Sequence, residues 1–257
     1  MKLAGSANHR NAEHLTLLDG MHLIDAYFSA IGLPKKLIVS SSGHANAEIA
    51  RFLSRPEAES VDMVHMSDAL FRAISPVQTP TGILALVSVP SPAEIGVCMH
   101  ERFYVLLEAI QDPGNVGSIL RSAAAAGATD VYLSEGCADA WSPKTLRAAM
   151  GAHFRVRIHE QSDLGDIARS FEGRIIATAL HAERNLYQIS LTGPTAFLFG
   201  NEGAGLSDPL LEAATERVSI PMPGRMESLN AAAAAAVCVF EKVRQEKAMQ
   251  ARQMTAG

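Results

Sequence analysis

The sequence predicts an α/β protein with two successive strand–helix series, the first smaller than the second. Three observations carry that expectation. Short runs rich in β-branched and apolar residues alternate with helical stretches along the chain, the spacing of a layered α/β structure. One segment, Pro90-Ser91-Pro92-Ala93-Glu94-Ile95-Gly96, holds two prolines and a glycine and reads as a boundary or linker. Hydrophobic residues make up 48% and charged residues 19% of 257 residues, which supplies ample core and excludes a disordered chain.

The first series opens with a strand over Leu15–Leu18 and a helix over Met21–Ala30. A strand at Lys36–Ser40, a helix at Asn46–Leu53, a strand at Val61–His65, a short helix at Ser67–Ala73 and a strand at Ile83–Val89 complete it. In the second series Phe103–Ala109 is a continuous apolar run ending at a polar turn, which suits a strand buried on both faces. Val116–Ala126 is an alanine-rich helix stopped by Gly127. Asp130–Leu133 is a strand, and Pro143–Met150 a helix with proline at its start. Phe154–Ile158, Arg174–Ala179, Ala196–Phe199 and Val218–Ile220 read as further strands, and Glu227 to about Ala248 as a long terminal helix. The alanine runs 123–126 and 231–236 fit either plain helix propensity or close packing of helices, within or between subunits.

Composition removes several classes. Cys98, Cys137 and Cys238 are far apart and lack metal-ligand spacing, so neither a zinc site nor a disulfide framework is expected, and a reducing cytoplasm fits best. The N-terminal MKLAGSANHRNAEHL has no apolar core of a signal peptide. The longest apolar run, Ala231–Phe240, falls short of the ~20 residues that span a bilayer, so no membrane partner is expected. A formal net charge of −5 counts against a simple basic nucleic-acid binder. Yet Arg121, Arg147, Arg155, Arg157, Arg174, Arg184, Arg217 and Arg225 all lie from residue 121 onward, which leaves a local basic face open.

Three segments hold more glycine and polar residues than a core needs: Gln111–Arg121, Phe199–Ser207 and Ile220–Asn230. Each follows an expected strand and precedes a helix, and ligands of open α/β sheets sit beyond the carboxyl ends of strands, so three such turns can line one crevice. Gly200-Asn201-Glu202-Gly203-Ala204-Gly205 is G-x-x-G-x-G, not the G-x-G-x-x-G of a dinucleotide fold, and no P-loop occurs. On residues alone a small-molecule or nucleotide site and purely structural turns both stand.

Taken in order, the three segments resemble the motifs of the SpoU-type (TrmH-like) RNA 2′-O-ribose methyltransferases of the SPOUT superfamily. DPGNVGSILR (112–121) is similar to the first motif, FGNEGAGL (199–206) to the second and IPMPGRMESLN (220–230) to the third, and the likeness covers roughly 100 to 245. More loosely, Arg10, Leu18–Ile24 and Thr79–Ala85 resemble a small ribosomal-protein-like RNA-binding domain that often precedes it.

The resemblance implies a substrate-binding domain over 1–92 and, over 97–257, a methyltransferase domain with a mostly parallel sheet and a deep trefoil knot in roughly 196 to 245. It implies S-adenosyl-L-methionine as cofactor, no metal, structured RNA as partner with ribosomal favoured slightly over transfer RNA, and a homodimer packed through the two alanine-rich helices. Arg121 is implied as the essential cation at the ribose 2′-hydroxyl; with a pKa above ~12 it is a poor base but able to stabilise a developing alkoxide. Asn115, Glu202, Ser228 and Asn230 are implied around it. On residues alone Asn115 is also a natural N-cap, Glu202 a solvated acid, and Ser228 and Asn230 caps of the last helix. The donor's adenosine is implied on backbone groups near Gly200, Ile220 and Leu229, with Leu198, Met222 and Thr178 close by. His153 is implied near the family's first-domain site but reads first as a core or surface histidine. Two rivals remain: a noncatalytic RNA-binding or ribosome-assembly protein that keeps the fold, and a nucleotide- or NAD-binding enzyme, which the missing fingerprint disfavours.

Overall fold

The computed structural model describes residues 2–77, 79–97, 102–224 and 226–256. Arg225 of the third motif and Cys98 lie outside the described residues. The first series comprises α1 (Lys2–Gly5), α2 (Ala7–Glu13), β1 (Leu15–Asp19), α3 (Met21–Ala30), β2 (Lys36–Ser40), α4 (Ser41–His44), α5 (Ala47–Leu53), α6 (Pro56–Glu59), β3 (Met63–Met66), α7 (Asp68–Ile74) and β4 (Ile83–Ser88). The second comprises β5 (Phe103–Leu107), α8 (Pro113–Ala126), β6 (Asp130–Leu133), α9 (Pro143–Ala149), β7 (Arg157–His159), α10 (Leu164–Ser170), β8 (Arg174–Thr178), β9 (Arg184–Asn185), β10 (Thr195–Phe199), α11 (Asp208–Ala213), β11 (Glu216–Ser219) and α12 (Ala231–Ala256).

The α/β expectation holds. A four-stranded sheet has the order β1-β4-β2-β3, with β4 antiparallel to both β1 and β2. A seven-stranded sheet has the order β7-β6-β5-β10-β8-β11-β9, with every neighbouring pair parallel. Alternation along β10 explains the layering. Phe197 and Phe199 face one apolar cluster with Ile119, Leu120 and Val239 of α8 and α12, whereas Leu198 faces another with Leu164 of α10 and Leu210 of α11.

The first cluster continues into the four-stranded sheet through Leu18, Leu37 and Ile83, so the two sheets share one core. Arg10 explains part of the junction. Its side chain is buried and pairs with Asp139, Nε lying 3.0 Å from Oδ2. Thr16 Oγ1 donates to the Trp141 carbonyl at 2.9 Å, and Tyr27 meets Phe154 edge-on at 5.3 Å. Arg10 thus joins the two halves and presents no guanidinium for RNA.

Several boundaries differ from expectation. Residues 152–154 form a 3-10 turn after Gly151 at φ 85°, so the strand expected at Phe154–Ile158 is Arg157–His159; Phe154 is buried in that turn and Val156 just beyond it. Helix α8 begins at Pro113 rather than Val116, because Asp112 accepts the Asn115 amide at 3.0 Å and caps it. The N-cap is therefore Asp112, and Asn115 lies in the first turn with its side chain free for other partners. Helix α12 begins at Ala231, not Glu227, since Asn230 Oδ1 takes the amides of Ala232 (2.9 Å) and Ala233 (3.3 Å). Asn230 caps this helix, and Ser228 does not. The alanine-rich helices pack on each other within the chain, with Ala123 and Ala235 fully buried. Gly117 lets α9 pack equally close to α8: a Cβ there would lie 2.5 Å from the Thr145 carbonyl.

Among the described residues no helix is long and apolar enough to cross a membrane, and no group of three or more His, Cys, Asp or Glu is placed to hold a metal.

Candidate active site

The three polar turns meet at the carboxyl end of the parallel sheet. Strands β5 and β10 are neighbours, with Leu107 opposite Phe199, so the turns after them start side by side. Asn115 is the hub. Its Nδ2 donates to Glu202 Oε1 at 2.8 Å, and its Oδ1 accepts from Asn230 Nδ2 at 2.9 Å. One side chain from each turn therefore enters a single hydrogen-bonded chain. Glu202 also accepts the amides of Gln111 (3.3 Å) and Asp112 (3.4 Å). Partial burial pushes its carboxyl upward, but the Asn115 and backbone hydrogen bonds outweigh that and hold it below the ordinary glutamate value. Glu202 is therefore ionised at neutral pH and, although exposed, held in place by three hydrogen bonds.

Arg121 lies on α8, six residues beyond Asn115, and is exposed. It makes no hydrogen bond or ion pair among the described residues. A free guanidinium on a helix whose start is tied to the other two turns is available for an anionic or developing-anionic partner. Ser228 is likewise exposed and outside the hydrogen-bonded chain.

Residues implied for the donor divide by the face they use. Leu198 is fully buried in the cluster under α10 and α11, so only its backbone faces the strand end, and its carbonyl already accepts from Thr178 Oγ1 at 3.0 Å. Gly200 has no room for a side chain: a Cβ would lie 2.2 Å from the Gly205 carbonyl carbon and 2.3 Å from the Leu206 amide nitrogen. Ile220 and Met222 are half-buried, while Leu229 is 37% exposed. Leu180, just past β8, and Met226 add 58% and 68% exposed apolar side chains after adjacent strands. Exposed apolar side chains beside strand-end backbone fit a nucleoside that buries its faces and hydrogen-bonds its edges.

Four supporting residues escaped the sequence reading. Glu108 Oε2 accepts the Ser207 amide at 2.8 Å, closing the second turn onto the first strand. Asn201 Nδ2 donates to the Ala109 carbonyl at 2.8 Å, while its Oδ1 takes the amides of Gly203 and Ala204. Ala109 itself holds φ 49°, the left-handed region, with its amide on Ser134 Oγ at 3.0 Å. Leu180 is the fourth. The bonds that tie Glu108, Asn201 and Ala109 to Ser207, Ala109 and Ser134 span about 25 to 100 positions, beyond any local pattern.

The model of the SpoU rRNA Methylase family matches residues 102–240, more than half of the chain. The chain belongs to the SpoU rRNA methylase family. A Bacillus subtilis relative, the 23S rRNA (guanosine(2553)-2′-O)-methyltransferase RlmP, is 30% identical over 90% of this chain and 89% of its own length. The Streptomyces viridochromogenes 23S rRNA (uridine(2479)-2′-O)-methyltransferase is 30% identical over 95% and 87%. The crystal structure of the SpoU methyltransferase AviRb from Streptomyces viridochromogenes in complex with AdoMet superposes with a TM-score of 0.79 at 28% identity, covering 95% of both chains. This SpoU methylase is accordingly an S-adenosylmethionine-dependent RNA ribose methyltransferase.

Proposed function

We propose that this SpoU methylase modifies ribosomal RNA, with Arg121 as the cation at the reacting 2′-oxygen. The observation that carries the reading is the Glu202–Asn115–Asn230 chain, which gathers the three turns around the start of α8. The relatives named for 23S rRNA, matched over nearly their whole length, support ribosomal over transfer RNA.

S-adenosylmethionine supplies a methyl group already activated by its sulfonium. The protein's task is to hold the ribose oxygen in line and to ease loss of its proton; positioning of this kind is worth ~7–11 kcal/mol. Arg121 stabilises the oxygen as its proton leaves for solvent. Asn115 and Glu202 orient α8 and the second turn, and Asn230 and Ser228 present the third. Gly200, Ile220 and Leu229 offer backbone to the donor, Leu198 the strand end before it, and Thr178, Met222, Leu180 and Met226 surround it.

Residues 1–92 serve as the RNA-binding part and 97–257 as the catalytic part, in a cytoplasmic homodimer. Phe240, 47% exposed on α12, supports pairing through that helix. The trefoil knot is supported by β11, which lies between β8 and β9 although both precede it in the chain.

Arg121→Ala is expected to bind S-adenosylmethionine with unchanged affinity by calorimetry and to transfer no methyl group to unmodified 23S rRNA; wild-type turnover by this variant overturns the assignment.

A further inference from the structure

A cavity of 490 Å³ opens between the two halves, away from the three turns. One wall holds Asp19, His22, Asn46 and Ile49 of the first series; the other holds Arg147 and Met150 at the end of α9. His22 Nε2 and the Met150 carbonyl, 3.1 Å apart, span it.

The polar groups are not all spent inside the protein. Arg147 is exposed and makes no hydrogen bond or ion pair among the described residues, and it faces the Asp19 carboxylate electrostatically across the cleft. Asn46 uses Oδ1 to cap α5 (2.9 Å to the Glu48 amide), and its Nδ2 donates to no described residue. Asp19 is half-buried and accepts from the Thr81 and Ser75 hydroxyls at 3.4 Å, which leaves it acceptor capacity toward the cavity. Met150, 40% exposed, supplies apolar surface, and Glu48 lies at the rim. Helix α9 packs directly on α8, so Arg147 and Arg121 stand on adjacent helices.

This inventory has a chemical shape: an exposed cation outside any ion pair and facing the Asp19 carboxylate, a free amide donor and the exposed apolar side chain of Met150, in a space of small-molecule size. RNA is read mainly at unstacked nucleotides, whose phosphate, base face and base edge need these groups. We propose that the cleft is a second nucleotide subsite for the RNA substrate: an unstacked nucleotide other than the one methylated enters between the two halves, its phosphate on Arg147, its base against Met150. The inference rests on RNA being the substrate, and it makes Arg147 a positioning residue rather than a catalytic one.

The test uses the full chain and transcribed, unmodified 23S rRNA. Arg147→Gln is expected to weaken RNA binding about tenfold near 100 mM salt and to lower the slope of log affinity against log salt by about one. KM for RNA rises by the same factor, while kcat at saturating RNA and affinity for S-adenosylmethionine stay unchanged. Arg147→Lys keeps the wild-type slope, because the charge is retained. Met150→Asp, whose residue tolerates the left-handed backbone at that position (φ 51°), pairs Arg147 internally and reproduces the loss. A wild-type slope and KM in Arg147→Gln overturn the proposal, as does an equal fall in slope for Arg147→Lys. Absence of methyl transfer by the wild type with an intact Arg147-dependent slope would instead count against the ribosomal RNA assignment and leave the cleft standing.

Discussion

Gly200→Ala perturbs the site at the point where two strands of backbone touch. The added Cβ would lie 2.2 to 2.4 Å from three backbone atoms of Gly205 and Leu206. Ordinary contact begins near 3.4 Å, so the 200–206 turn must move by about 1 Å. Overpacking of this sort costs about 1–3 kcal/mol. The turn is at the surface and can yield, so about 2 kcal/mol is expected, which lowers Tm by roughly 4–8 °C in a chain of this size. The functional loss should be larger. The moving turn carries Glu202, whose bond to Asn115 sets the start of α8. Misplacement by about 1 Å costs a reaction about 100-fold. Calorimetric unfolding gives the first number and a tritium-labelled methyl-transfer assay the second. Gly203→Ala is the control in the same turn, since its Cβ would meet nothing closer than Asn201 Oδ1 at 3.6 Å, and it should leave both unchanged. If Gly200→Ala matches Gly203→Ala in Tm and turnover, the close approach is not what the site depends on.

Three further outcomes follow. His153 is fully buried, with Nε2 2.6 Å from the Ala140 carbonyl and Nδ1 unpartnered, and burial pushes its pKa down to about 4. The unfolded chain takes up this proton below pH 6.5 and the folded one does not, so stability is full above pH 6.5 and falls as pH drops toward 4. The loss is on the order of 3 kcal/mol, about 2 of it by pH 5 before most carboxylates titrate; urea titrations should show it, and a decline just as steep in His153→Leu would sink the assignment. Lys242 is buried, donating to the carbonyls of Leu191 (3.1 Å) and Gly193 (2.8 Å) and pairing with Glu246. Lys242→Met strands those acceptors and should cost about 3 kcal/mol, and a calorimetric Tm within 1 °C of wild type would contradict this. Leu229→Glu is expected to abolish S-adenosylmethionine binding while leaving the fold intact, the side chain being partly exposed; unchanged calorimetric affinity would remove Leu229 from the donor site.

Sequence reading reached the local features and stopped at the distant ones. The three turns are recognisable because glycine, proline and asparagine between a strand and a helix leave a dense polar signature. The pairing of β5 with β10, which brings two of those turns together, leaves no such trace, since Leu107 and Phe199 carry no mark of each other. Helices α10 and α11, seven and six residues long, were not among the expected elements. Asn115 was open to reading as a cap because Asp112 and Asn115 are both good caps, and only the coordinates show the Asn115 amide bonded to Asp112. Arg10 entered only through the likeness to an RNA-binding domain, and its partner Asp139 lies 129 residues away.

The bond between Asn230 and Asn115 joins groups 115 positions apart, and β11 slots between two strands made before it. During synthesis, then, β8 and β9 wait with open edges until the residues beyond Glu216 have cleared the ribosome, a period when stray strands can pair with them. Over the same interval the hub asparagine lacks its last neighbour. The cluster that joins the three turns is therefore complete only after β11 and the turn beyond it have folded into place.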